Sequence, residues 1–273
     1  TGEGRFALVE GPDLPLSKGA PLPAPAVQRF EASEGRALLV MRDGHLLHEV
    51  YGPGIGPGTR LNSYSLVKSL VGVMVLRAVA DGRIKGLDTP LRALIGPEAP
   101  AVTLREVLDM TSGLSLGYEP PKDDKDAPLD DADFSPFGPV ARLHAFGIEH
   151  LLPRLSPDAT LRGDFHYQSA NTALLGLVLK QVYNAPLPQV LGDQIWHPAG
   201  AAPAEWRKNR NSGSVSAYCC LFATPRDWAK VGDDLLRNGT AADPVLPDGL
   251  WRNWILPDLT PDARRAGAYG WHL

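Results

Sequence analysis

Ser65 and Lys68 stand three residues apart at the start of an apolar helical pattern, a pair whose types and spacing could do chemistry. On a helix, such residues share a face with Cβ atoms roughly 5–6 Å apart, so an amine can reach a hydroxyl. A serine hydroxyl is a poor nucleophile until a neighbour takes its proton. A lysine can take it once neutral, which means moving its pKa from about 10.4 toward 7, roughly 4–5 kcal/mol of differential destabilisation of the ammonium. Burial and neighbouring charges supply shifts of that size. Lys68 lies on a helix otherwise apolar from Leu66 to Leu76, a setting in which lysines are perturbed. A helix N-terminus at Ser65 also favours negative charge developing there. Taken alone, Ser-x-x-Lys also arises by chance, with Ser65 as a helix cap and Lys68 as a solvated lysine.

Further segments make the pattern specific. SYSLVKSLVG, around Ser65, resembles the nucleophile motif of class C β-lactamases, DD-peptidases and related esterases. VTLREVLDMTSGL is similar to that family's short helix ending in Thr-Ser-Gly-Leu, here Thr111 to Leu114. FHYQSANTALLGLVL resembles the motif that supplies a tyrosine just ahead of a helix, and IWHPAGAAPAEW and SAYCCLFATPRDWAKVGDDLLRNG resemble later helical segments. The resemblance spans most of residues 37–240. It implies a serine hydrolase without cofactor, acting on a small ester or amide. Ser65 would be the acylated nucleophile, Lys68 the proton acceptor and Tyr167 the second acid/base, with Ser112, Ser169 and Asn171 in substrate-binding or supporting places. A tyrosine and a lysine have nearly matching reference pKa values, so a proton passes between them at little cost. Which of Lys68 and Tyr167 is the base is a coupled-titration question left open here.

Two departures qualify the resemblance. Class C β-lactamases carry asparagine two positions after the tyrosine, where this chain has Ser169 and only then Asn171. That spacing is closer to the esterase and nylon-oligomer hydrolase branch, which argues against efficient β-lactam turnover. The acidic loop with Tyr118 and Asp123 resembles the same branch loosely. The family also has a third motif, Lys or His followed by Ser/Thr/x and Gly, on a strand beyond a segment like Tyr269-Gly270-Trp271. The sequence stops at Leu273, so the C-terminal strands, with one oxyanion-hole amide, are expected to be missing.

The elements that must position these residues follow from local signals. The first 26 residues, rich in Pro and Gly, read as an extended segment. ALLVMRDGHLLHEVYG places two strand-like runs around Asp43-Gly44, a hairpin. Helices are expected from Ser65 to Ala80, Thr103 to Met110 with a Thr103/Glu106 capping box, Val140–Phe146, Asn171–Tyr183, Leu187–Ile195 and Pro225–Arg237 after Thr224. Residues 120–136 read as a surface loop, and GAYGWHL as the start of a strand. The expected fold is α+β, β-lactamase/transpeptidase-like: an antiparallel sheet flanked by helices, with a mainly helical lobe. One domain covers 1–273, its sheet lobe about 27–58 and 246–273 and its helical lobe about 59–245.

Composition bounds the remaining possibilities. Hydrophobic residues are 44% and charged residues 21%, and the net charge of −4 gives no general attraction to nucleic acid or anionic lipid. No apolar run is long enough to cross a bilayer, so no membrane insertion is expected and the compartment stays open. The adjacent Cys219 and Cys220 read as two small apolar residues rather than a bridge, with a cysteine nucleophile as the alternative. His45 and His48 fall on opposite faces of a strand, His144 and His150 lack ligand-like spacing, and His166 precedes the motif tyrosine, so no metal is expected. Residues 123–133 lack the glycine and terminal glutamate of a calcium loop. The competing function class is a non-catalytic ligand-binding or penicillin-sensing module on the same fold.

Overall fold

Asp43 and Gly44 both take left-handed backbone angles, φ 51° and 77°. They close a two-residue turn whose twist matches the strands it joins. The computed structural model describes residues 3–5, 22–115, 138–209, 213–240 and 242–255. Strand β1 (Glu3–Arg5) and helix α1 (Ala24–Ala32) precede the hairpin of β2 (Ala37–Arg42) and β3 (His45–Tyr51). The pairing is antiparallel, from Ala37 opposite Tyr51 to Arg42 opposite His45, with a register shift at Val40/Met41.

Strand β4 (Leu61–Asn62) leads through a single tight turn, Tyr64–Leu66, into α2 (Val67–Ala80). Ten of the 14 residues of α2 are buried, so this helix has no polar face and forms the centre of the core. Helices α3 (Leu91–Ile95) and α4 (Leu104–Leu108) follow; Thr103 and Glu106 form the expected capping box on α4. Strand β5 (Leu114–Ser115), helices α5 (Pro139–Phe146) and α6 (Ile148–Leu151), and strand β6 (Ser156–Pro157) lead to α7 (Ser169–Tyr183). Helix α7 packs against α2, α3, α4, α5 and α6. After α8 (Leu187–Leu191), a wider π turn continues from Gly192 to Trp196. Strands β7 (Glu205–Arg207) and β8 (Leu221–Ala223) and helices α9 (Pro225–Arg237) and α10 (Asp248–Ile255) complete the described elements.

A four-stranded antiparallel sheet in the order β1-β7-β8-β4 joins the chain's start to its later half. Helix α9 lies on β2, and Arg226 of α9 holds Glu49 of β3 through two hydrogen bonds of 3.0 and 2.6 Å. The architecture is α+β, as expected. Helix α1, which buries none of its residues, overlaps the stretch read as extended, and α10, which buries Trp254 in the core, falls within the stretch assigned to the sheet lobe. The 120–136 loop, the 123–133 stretch and the GAYGWHL segment lie outside the described residues. Among the described residues, no helix is long and apolar enough to cross a membrane.

The cysteines correct the sequence reading. Cys219 and Cys220 are joined by a disulfide, and Cys219 is partly exposed. Cys220 takes a left-handed backbone angle, φ 67°, in a tight turn that neighbour-pair sterics alone do not suggest.

Candidate active site

Ser65 is presented on a strained elbow. Tyr64, immediately before it, has φ 45°, a left-handed angle that a bulky L-residue adopts only when its surroundings impose it. Three hydrogen bonds supply that imposition: the Tyr64 amide donates to Asn62 Oδ1 at 2.9 Å, Ser63 Oγ donates to the Tyr64 carbonyl at 2.9 Å, and the Leu221 amide donates to Ser63 Oγ at 3.2 Å. The Ser63 amide also donates to the Leu221 carbonyl at 2.8 Å, so the end of β8 clamps the elbow. Ser65 is exposed, between Tyr64 and Leu66, which are 74% and 54% exposed. The α-helix proper begins two residues later than the pattern suggests, at Val67.

Lys68 is only 3% exposed. Its Nζ donates to Ser65 Oγ at 3.0 Å and to the Tyr218 carbonyl at 2.7 Å, and it sits 5.1 Å from the centre of the Tyr167 ring. Tyr167 is half-buried. Burial raises its pKa, and a hydrogen bond with the Ser65 side chain offsets part of the rise. At neutral pH it is therefore a phenol able to give a proton. Hydroxyl, amine and phenol from two distant stretches of chain meet within proton-transfer reach.

The loop carrying Tyr167 is bound to the segment after α4. The His166 amide donates to the Met110 carbonyl at 2.9 Å, and Gly163 and Asp158 amides donate to the Thr111 and Gly113 carbonyls at 2.9 and 2.7 Å. Arg162 reaches back to Glu106, the capping residue of α4, at 2.6 and 3.0 Å. Gly113 makes this approach possible: its φ is +63°, and a Cβ there would meet the Asp158 carbonyl at 2.7 Å. Ser112 and Asn171 are both buried, the Ser112 hydroxyl donating to Asn171 Oδ1 at 2.6 Å while Asn171 Nδ2 donates to Met110 Sδ at 3.3 Å. They tie the Thr-Ser-Gly turn to the first turn of α7, beneath the Tyr167 loop. Ser169 opens α7, partly exposed, two residues after Tyr167.

The Beta-lactamase family model matches residues 24–273. The chain belongs to the Beta-lactamase family. Over 251 residues this family member is 28% identical to a 6-aminohexanoate-dimer hydrolase of Paenarthrobacter ureafaciens, covering 88% of this chain and 60% of that protein. It therefore spans about three fifths of that curated relative's length. A D-stereospecific amidohydrolase from a Streptomyces species superimposes with TM-score 0.63 at 21% identity, covering 92% of this chain and 82% of that one. A penicillin binding protein from Bacillus halodurans does so with TM-score 0.61 at 19% identity, covering 86% and 79%. At such identities the likeness bears on the fold, which is β-lactamase/transpeptidase-like.

Sequence reading missed Tyr218. Its backbone carbonyl, 150 residues from Lys68 in the chain, accepts from the amine at 2.7 Å. Carbonyls have no residue-type signature, so only the turn itself could reveal it. That turn is braced by Trp206, whose Nε1 donates to the Ser216 and Cys219 carbonyls at 2.9 and 3.0 Å. Gly176 of α7 lets it approach, since a Cβ there would lie 2.6 Å from Ala217 Cβ. A cavity of about 410 Å³ lies on the other side of Tyr218, lined by Leu143, Ala173, Gly176, Leu187 and Ser216. Ser65, Lys68 and Tyr167 are not among the residues that line it.

Proposed function

We propose that this β-lactamase family chain is a serine hydrolase that cleaves a small ester or amide through an acyl-enzyme on Ser65. The observation that supports it is the hydrogen bond from the buried Lys68 amine to Ser65 Oγ, beside the Tyr167 phenol. Ser65 Oγ attacks the substrate carbonyl carbon while its proton passes to Lys68 or Tyr167. The C–N or C–O bond to the leaving group breaks, and that group departs with a proton delivered from Tyr167. Water then attacks the acyl-serine ester, the acid leaves, and Ser65 regains its hydrogen. Ser112 and Asn171 act from below, by holding the Tyr167 loop.

The proposed substrate class is a linear amide or short acyl ester rather than a β-lactam. Ser169 in place of the asparagine of class C β-lactamases supports this, as does the name of the Paenarthrobacter relative. The test is a panel of p-nitrophenyl acetate, aminohexanoate dimer, D-alanyl peptides and a chromogenic cephalosporin, run beside labelling with a fluorophosphonate. Label on Ser65, turnover of an ester or linear amide, and loss of both in Ser65→Ala are the expected results. Unchanged ester turnover in Ser65→Ala would refute the assignment, and labelling without turnover would leave the non-catalytic binding module as the better reading.

A further inference from the structure

A disulfide between neighbouring residues closes no loop, so it cannot stabilise the fold by restricting the unfolded chain. The Cys219–Cys220 bridge sits directly after Tyr218, whose carbonyl holds Lys68. Opposite it, on α5, His144 places Nδ1 3.2 Å from the Tyr218 hydroxyl and Nε2 4.0 Å from Cys219 Sγ. One donor atom from each of His144, Cys219 and Cys220 lies within 4.8 Å of the other two. The 4.0 Å between His144 Nε2 and Cys219 Sγ is a span that one cation bonded to both, at ~2.0–2.3 Å from each, would bridge.

We propose that the reduced Cys219–Cys220 pair and His144 form a site for one soft divalent cation of the zinc and cadmium class, and that filling it slows hydrolysis by displacing the Tyr218 carbonyl from Lys68. In the disulfide the sulfurs are poor donors, and the site does not exist. A dithiol reductant gives two electrons and two protons: the Sγ–Sγ bond breaks, two thiols form, and the reductant becomes a cyclic disulfide. Cation binding then releases both thiol protons and makes two metal–sulfur bonds and one metal–nitrogen bond, with the fourth position left to solvent. The Tyr218 hydroxyl suits the second part of such a site. With Nδ1–H donating to that oxygen, the Nε2 lone pair faces Cys219, the arrangement that fixes a ligand histidine's ring and tautomer. Partial exposure of His144 and Cys219 gives a cation its entry. Separation of the two sulfurs around an ion must move the 218–220 backbone, and the Arg207 amide and Trp206 indole that bond this turn cannot follow freely. The coupling to Lys68 rests on the hydrolase reading above; the cation site does not.

The test uses protein reduced with dithiothreitol, desalted without oxygen and titrated with cadmium chloride. A thiolate-to-cadmium charge-transfer band saturating at one ion per chain is expected, with zinc competing for it. The oxidised protein gives no band. Cys219→Ser abolishes the band and His144→Ala weakens cadmium binding at least tenfold, while circular dichroism confirms that both variants are folded. Turnover of p-nitrophenyl acetate by the reduced protein falls at least fivefold at saturating cadmium and returns with EDTA. No band in the reduced protein, or a band indifferent to both substitutions, overturns the site. A saturated band with unchanged turnover overturns the coupling. If Ser65 proves unreactive, the band still decides the site independently of the hydrolase reading.

Discussion

In the proposed mechanism Lys68 and Tyr167 would divide the proton handling at Ser65, and that division would have a kinetic signature. Lys68 is buried against Ser65 Oγ and the Tyr218 carbonyl, so Lys68→Ala removes the amine proposed to share in taking the serine proton and leaves that carbonyl without it. A loss of roughly 10² or more in kcat is expected for ester and amide alike. Tyr167, kept a phenol by burial, would in that mechanism matter most where the leaving group needs a proton. Tyr167→Phe should therefore cost roughly 10² on an amide and distinctly less on p-nitrophenyl acetate, whose phenolate leaves unaided. Comparison of kcat/KM for the two substrates in that variant checks it; an equal loss on both would assign the phenol another task.

At the scale of elements, the site is a junction of three supports: the β4 elbow, the loop before α7 and the turn before β8. Gly113 is where the second support is most exposed to a single change. Gly113→Ala forces a Cβ onto the Asp158 carbonyl at a left-handed backbone angle, so the Tyr167 loop must shift. The expected result is a drop in kcat of at least tenfold with Ser65 still labelled by the fluorophosphonate, together with a lower melting temperature. Much of this level was legible beforehand. The Asp43-Gly44 hairpin, the Thr103/Glu106 box and the Thr224–Pro225 start of α9 are decided within a few residues, and each formed as expected. Helices α1, α3 and α10 were not anticipated, because they are only five to nine residues long and carry no strong local pattern. Asp234 of α9 is another such case: buried with Oδ2 unpartnered, its pKa is raised by burial, a cost invisible in a helix pattern. Asp234→Asn relieves the buried charge and should raise the melting temperature at neutral pH by a few degrees, on the order of 1 kcal/mol. A thermal melt of the variant measures it, and a fall in melting temperature would contradict this account.

For the molecule as a whole, the hairpin is fastened to α9 by the Glu49–Arg226 pair. The Arg226 hydrogen bonds lower the Glu49 pKa, with burial opposing and Tyr51 assisting. A carboxylate with a depressed folded pKa binds fewer protons in the folded state. Its stabilisation is complete above the unfolded pKa and is lost as pH falls through the folded value. Glu49→Gln should thus lower stability at neutral pH by about 1–2 kcal/mol, with the two proteins converging as pH falls toward about 3. Urea unfolding at several pH values follows the difference; a gap that stays constant with pH would disprove the linkage.

The sequence pointed to the α+β class and, through an ordered series of motifs that resemble the family's, to the family, the serine–lysine pair and the tyrosine ahead of α7, because each is carried by a short stretch. Tertiary structure decided what surrounds them. The carbonyl that holds Lys68 comes from a turn 150 residues away, the strain at Tyr64 is imposed by β8, and the adjacent cysteines face a histidine from another helix. Those contacts depend on how helices and strands pack around α2. Backbone carbonyls and turn angles carry no letter in the sequence, so only the folded chain brings them together.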